Sequence, residues 1–126
     1  MDEFLSNLKN TSIKILKLNL LINLSLICIK NKEIKKAINY LNYSISLTNQ
    51  LPIEFYKNLV KMRMAYCKAI LDEDFDNDCM SIIMYYYSTN NTDMLYHLKK
   101  EAQQYCKNPH FIETIELCEK KIQSIL

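Results

Sequence analysis

Residues 11–47 read TSIKILKLNLLINLSLICIKNKEIKKAINYLNYSISL, and this stretch decides the fold. Its second half is amphipathic at helical spacing. Ile34, Ile38, Leu41 and Ile45 fall at i, i+4, i+7 and i+11, one stripe of a helix, with Lys35, Lys36, Asn39 and Asn42 on the other side. The first half, Leu18 to Ile29, is apolar almost all round, interrupted by Asn19, Asn23 and Ser25. Asn31, Lys32 and Glu33 make a tight polar turn between them. The pattern predicts two helices folded back on each other. A helix apolar on most of its circumference needs cover on several sides, so further helices are expected to stack on the pair.

Composition points the same way. The chain has 126 residues, enough for one domain that buries roughly two-thirds of its unfolded surface. It contains no glycine. Two-residue β-hairpins and phosphate-cradling loops lean on glycine for positive φ or close backbone approach, so the absence predicts an all-α chain and excludes a nucleotide-loop enzyme. A net charge of +2 from 16 basic and 14 acidic side chains argues against direct nucleic-acid binding by the chain as a whole, outside a ribonucleoprotein. The five cysteines are an odd number with no basic-then-apolar leader before them, which predicts reduced, buried thiols and a cytoplasmic setting. Leu18 to Ile29 falls well short of the roughly 20 residues of a bilayer crossing, and reads as core with no membrane partner.

Outward from the hairpin, residues 2–9 place Phe4, Leu5 and Leu8 on one side of a short helix, and Asn10, Thr11 and Ser12 predict a break after it. Pro52 pushes Leu51 out of the α region and opens a third helix, which carries Phe55, Leu59, Met62, Tyr66 and Ile70. After the acidic turn Asp72–Asp74, Phe75, Cys79, Ile82 and Tyr86 repeat the stripe of Ile34–Ile45 41 residues later. Ser88 to Thr92 form a polar stop, and Leu95, Leu98, Ala102 and Tyr105 stripe the next helix. Asn108-Pro109 is a cap followed by proline at the first helical position, opening a last helix with Phe111, Ile115, Cys118, Ile122 and Ile125. The expectation is a single domain, 1–126, of six to seven antiparallel helices. Its clearest repeat covers 11–48, a diverged one 53–89, and the C-terminal helices 92–125.

A helical pair that recurs at this interval describes an α-solenoid. Leu21, Leu24, Ser25, Cys28, Ala37, Leu41 and Ser44 resemble the tetratricopeptide repeat, with large apolar residues at its fourth, seventh and twenty-fourth positions. Ser25, Ala37 and Ser44 fall at the positions where that family keeps small side chains so that two helices can approach closely. Residues 17–47 are similar to the second repeat of immunophilin-type co-chaperones, without a catalytic isomerase domain or a complete first repeat. The 41-residue offset exceeds the family's 34 and implies an insertion near 49–53 or 71–74.

The resemblance implies a non-catalytic protein-interaction module or adapter. Its sharpest form docks the acidic C-terminal tail of a chaperone in a carboxylate clamp. Asn23 falls at the family's asparagine position, Lys57 and Lys61 match the next lysine and arginine positions, and Lys68 extends their face. Two ammonium groups one turn apart and an amide make a sound carboxylate receptor, each charge-assisted bond adding roughly 1.5–3 kcal/mol. Shifting the register by one insertion replaces the lysines with Val60 and Met64. The plainer reading of the same residues is a solvated lysine face with Asn23 as a satisfied core amide. The alternative function is a small accessory or scaffold subunit on a large protein or ribonucleoprotein assembly.

Other chemistry is weakly written. Asp74 to Asp78 imitates a calcium loop, but Cys79 and Tyr85 stand where glycine and a bidentate glutamate belong. Cys106, His110 and Cys118, even with His97, match no zinc spacing. In the run Tyr85-Tyr86-Tyr87, one or two rings must face outward. No triad or carboxylate pair is recognisable, which leaves a Cys–His nucleophile formed only in the fold as the enzymatic reading. The expectation is therefore no enzyme, no cofactor, no metal and no small-molecule substrate.

Overall fold

The computed structural model describes residues 2–51, 54–106 and 108–125, with side chains from residue 9 onward. Within them lie six α-helices and no strand: α1 (Asp2–Lys30), α2 (Ile34–Thr48), α3 (Glu54–Ile70), α4 (Asp76–Ser88), α5 (Thr92–Tyr105) and α6 (Pro109–Ile125). The all-helical class follows from the sequence as argued. The opening of α3 at Pro52 and the packing of Phe4, Leu5 and Leu8 lie outside the described residues and side chains.

A chain without glycine still has to stop its helices, and three of them stop alike. Lys32, Asp72 and Asn90 all sit in the left-handed region, at φ 64°, 58° and 56°. After α1 the Glu33 amide donates to the Cys28 carbonyl (2.8 Å) and the Lys32 amide to that of Ile29 (3.1 Å). The amides of Glu73 and Asp72 after α3, and of Asn91 and Asn90 after α4, repeat the pattern. This is the Schellman motif, with Lys, Asp and Asn at the position that usually takes glycine.

Packing divides the chain into two units, residues 1–60 and 61–126, with the division inside α3. In the first unit α1 and α2 form the expected antiparallel hairpin. The α1 face that meets α2 is Leu18, Ile22, Ser25 and Ile29, all buried. The α2 face is not the expected one. Ala37, Leu41, Ser44 and Leu47 are buried, whereas Ile34 and Ile38 are half-buried and Ile45 is exposed. Small side chains on both helices bring the backbones together, and the bulkier isoleucines are displaced to the flanks. The serine hydroxyls donate within their own helices, Ser25 to the Ile22 carbonyl (2.6 Å) and Ser44 to that of Tyr40 (2.9 Å), so their burial leaves no orphan donor.

Two further expectations fail on α1. The break at Asn10–Ser12 does not occur, because Asn, Thr and Ser in a helix interior each cost well under 1 kcal/mol and no proline or glycine enforces a stop. Nor is the apolar run covered all round, since Leu20 and Ile27 face outward. Because α1 is continuous, its apolar stretch also becomes longer than the sequence reading allowed. Lys9–Lys30 is, by length and composition alone, long and apolar enough to cross a membrane, although part of it is buried.

The second unit packs the rest of α3 with α4, α5 and α6. Phe75, Cys79, Ile82 and Tyr86 are all buried, as are Leu95, Leu98, Ala102, Phe111, Ile115, Cys118 and Ile122. Phe111 stands edge-on to Tyr66, ring centroids 5.4 Å apart, and tilts against Phe75 at 5.3 Å. Asn108 behaves as expected. Its side-chain oxygen accepts the His110 amide (3.0 Å) while its Nδ2 donates to the Ala69 carbonyl (2.8 Å), capping α6 and tying it to α3. Helix-end positions are looser than the stripes suggest. Ile70 and Tyr105 are half-buried, and Ile125 is 80% exposed.

Candidate functional site

The lysines of the anticipated clamp are already engaged. Lys57 pairs with Glu54 one turn back (3.5 Å), and Lys61 reaches the Ser81 hydroxyl (3.4 Å). Lys68 makes a short pair with Asp78 of α4 (2.6 Å). The Glu54 contact is solvent-exposed, so it contributes little and is readily exchanged. The Lys68–Asp78 pair is partly buried and joins α3 to α4, which is a structural task. Asn23 and Lys57 fall in residues 1–60, Lys61 and Lys68 in residues 61–126. Asn23 is not a core amide: it is exposed on α1.

What α1 presents around Asn23 is apolar. Ile13 (53% exposed), Leu16 (70%), Leu20 (60%) and Ile27 (52%) line its outer surface, with Lys9 and Lys30 at the two ends. The spacing from Ile13 through Leu16, Leu20, Asn23 and Ile27 runs 3, 4, 3, 4. Sequence reasoning missed this stripe because it assigned all of Leu18–Ile29 to the core and placed a helix break, not a continuing face, just before Ile13. The signal was present in the sequence: the stripe repeats with the same alternation of threes and fours as the buried face Leu18–Ile29, on the opposite side of the helix.

The second unit carries the polar organisation. Arg63 is buried, and its Nε donates to a Glu101 carboxylate oxygen at 3.1 Å. The Tyr66 hydroxyl donates to the Leu98 carbonyl (2.9 Å). Burial, with the neighbouring Glu101 second, holds the Tyr66 phenol well above its usual range. Further along, Glu119 accepts from Lys99 (2.7 Å) and from the Tyr87 hydroxyl (2.9 Å), and that hydroxyl in turn accepts from Gln123 (3.0 Å). Tyr86 is wholly buried while Tyr85 and Tyr87 are half-buried, as the triple tyrosine required. These contacts join α3 to α5 and α4 and α5 to α6.

The thiols are held in the interior as well. All five are free and buried. Burial pushes Cys67 and Cys79 from 9.0 up to about 12, and raises Cys106 and Cys118 as well. A nucleophile needs the opposite shift. His97 and His110 are exposed, the latter 3.5 Å from Glu113. Among the described residues no three His, Cys, Asp or Glu side chains cluster as metal ligands. The calcium-like run is a helix start: the Asp74 carboxylate accepts the Asp76 amide (3.0 Å), and Asp76 and Asp78 occupy the first turn of α4. A groove of about 320 Å³ lies between α4 and α6, open to solvent and lined by Asp76, Met80, Leu117 and Lys121 among others.

No family model, no curated protein and no solved structure matches the chain.

Proposed function

We propose that the chain is a non-catalytic protein-interaction module of tetratricopeptide type, which acts as an adapter or small accessory subunit through its helical surface. The observation that carries this reading is the uncovered apolar stripe on α1. An exposed contiguous apolar face is unfavourable in water unless a partner uses it. The complete burial of Ser25, Ala37 and Ser44 in the α1–α2 hairpin supports the family likeness, because those are the close-approach positions. Buried free thiols fit a reducing, cytoplasmic setting.

Photo-cross-linking tests the reading. A photoreactive residue at Leu16 or Leu20, in cells expressing the chain, should give protein adducts that the same residue at Asn39 or Gln104 does not. Equal yields at all four positions, or none, would remove the proposal.

Docking of an acidic chaperone tail is the second reading, favoured by the exposure of Asn23 and by the weak, exchangeable pair of Lys57. A peptide ending in acidic residues and a free carboxylate should bind the parent, more weakly at high salt, and lose most affinity in Asn23→Ala and Lys57→Ala. A parent that does not bind eliminates the clamp and leaves the interaction reading intact.

A further inference from the structure

The geometry points to a specific occupant for the α1 stripe: a second copy of this chain, paired in parallel through α1. This deepens the interaction reading and rests on it. In heptad terms Ile13, Leu20 and Ile27 occupy a positions, and Leu16 and Asn23 occupy d. Such a seam is completed by another helix with the same 3.5-residue period, whose side chains fill the holes between its own. Isoleucine at a with leucine at d is the two-stranded parallel preference, met here at Ile13, Leu16 and Ile27.

Asn23 selects the orientation. In parallel alignment each layer meets itself, so the Asn23 amides of the two copies face each other and can hydrogen-bond. Antiparallel layering of a against d would set Asn23 against Leu20, burying an amide without a partner. An all-apolar foreign helix would do the same. Flanking positions raise no objection, because the g-to-e neighbours would be Ser12 with Lys17 and Asn19 with Leu24, without like charges opposed. Nor does α2 obstruct the approach. It covers Leu18, Ile22, Ser25 and Ile29, which lie on the opposite side of α1 from the seam.

The extent of the seam fixes the kind of dimer. Ile13 to Ile27 spans about 21 Å of helix at 1.5 Å per residue, two heptads. Lys9 and Lys30, the next d positions, would face their own copies and end the interface. An interface of this size falls in the small, reversible class. Because its only charge contacts are repulsive, salt should tighten it, opposite to the acidic-tail clamp.

Sedimentation equilibrium of the purified full chain, from micromolar to millimolar concentration, should show a monomer–dimer equilibrium. It should strengthen with salt, weaken at least tenfold in Leu20→Lys and strengthen in Asn23→Leu. Register is read by mild oxidation. Leu16→Cys should cross-link between copies much faster than the off-seam control Ser46→Cys, since only parallel pairing brings the two residues 16 together. Asn23→Leu and Leu16→Cys keep the test decisive if Leu20→Lys fails to fold. A parent that stays monomeric throughout, or equal oxidation rates for the two cysteine variants, would overturn the proposal. So would a monomer that binds phosphatidylserine vesicles through Leu20, which would assign the stripe to a lipid surface. Adducts from Leu20 to a different protein, with a monomeric pure chain, would retain the interaction reading and reject the dimer. Absence of both would reject both.

Discussion

Tyr86 is buried completely, and its hydroxyl finds no hydrogen-bond partner among the described residues. A buried unpaired hydroxyl is a cost, so Tyr86→Phe should leave stability unchanged or raise it by up to roughly 1 kcal/mol, measured by urea unfolding. Arg63 and Glu101 define the opposite case. Glu101→Ala removes a carboxylate from a buried guanidinium and should cost toward the lower end of roughly 3–5 kcal/mol, because Glu101 keeps some access to water. Ala37→Leu should cost roughly 1–3 kcal/mol by forcing α1 and α2 apart, with a lower urea midpoint as the readout. The importance of Ala37, Ser25 and Ser44 was legible only through the family resemblance. Periodicity counts large apolar residues, so it favoured Ile34 and Ile45, and a small residue at a close contact carries no signal in that count. Ion pairs such as Arg63–Glu101, 38 residues apart, are invisible to local pattern altogether.

At the scale of elements, the left-handed helix exits are the most tractable feature. An L-residue there costs roughly 1–2 kcal/mol relative to its right-handed conformation, and asparagine and aspartate bear it better than lysine. Lys32→Gly should therefore stabilise the hairpin by about 0.5–1 kcal/mol and Asn90→Gly by less, both visible as shifts in the denaturation midpoint. The helices and their order were legible because stripes of 3.6-residue period and polar turns both mark them. The missing break in α1 was not. Cap-forming residues only permit a stop, and whether they make one depends on the neighbouring backbone. The site suffered a related failure. Sequence spacing put Lys57 and Lys61 one turn apart correctly, but their partners Glu54 and Ser81 are a matter of tertiary placement.

For the whole molecule, the thiols set an alkaline limit. Cys67 and Cys79 titrate from an ordinary 9.0 up to about 12 in the fold, so the folded state holds its protons longer than the unfolded chain. Their contribution to stability is therefore complete below pH 9. It falls as pH rises toward 12, by up to roughly 1.4 kcal/mol per pH unit for each thiol. In reducing buffer the urea midpoint should hold steady to about pH 9 and drop beyond it, and Cys67→Val should lessen the slope. Burial also makes the five sulfurs sentinels distributed over both parts of the chain. Cys28 stands in residues 1–60, the other four in 61–126. Alkylation followed by mass spectrometry then times each region's opening separately, and a single shared rate would mean that the molecule melts as one.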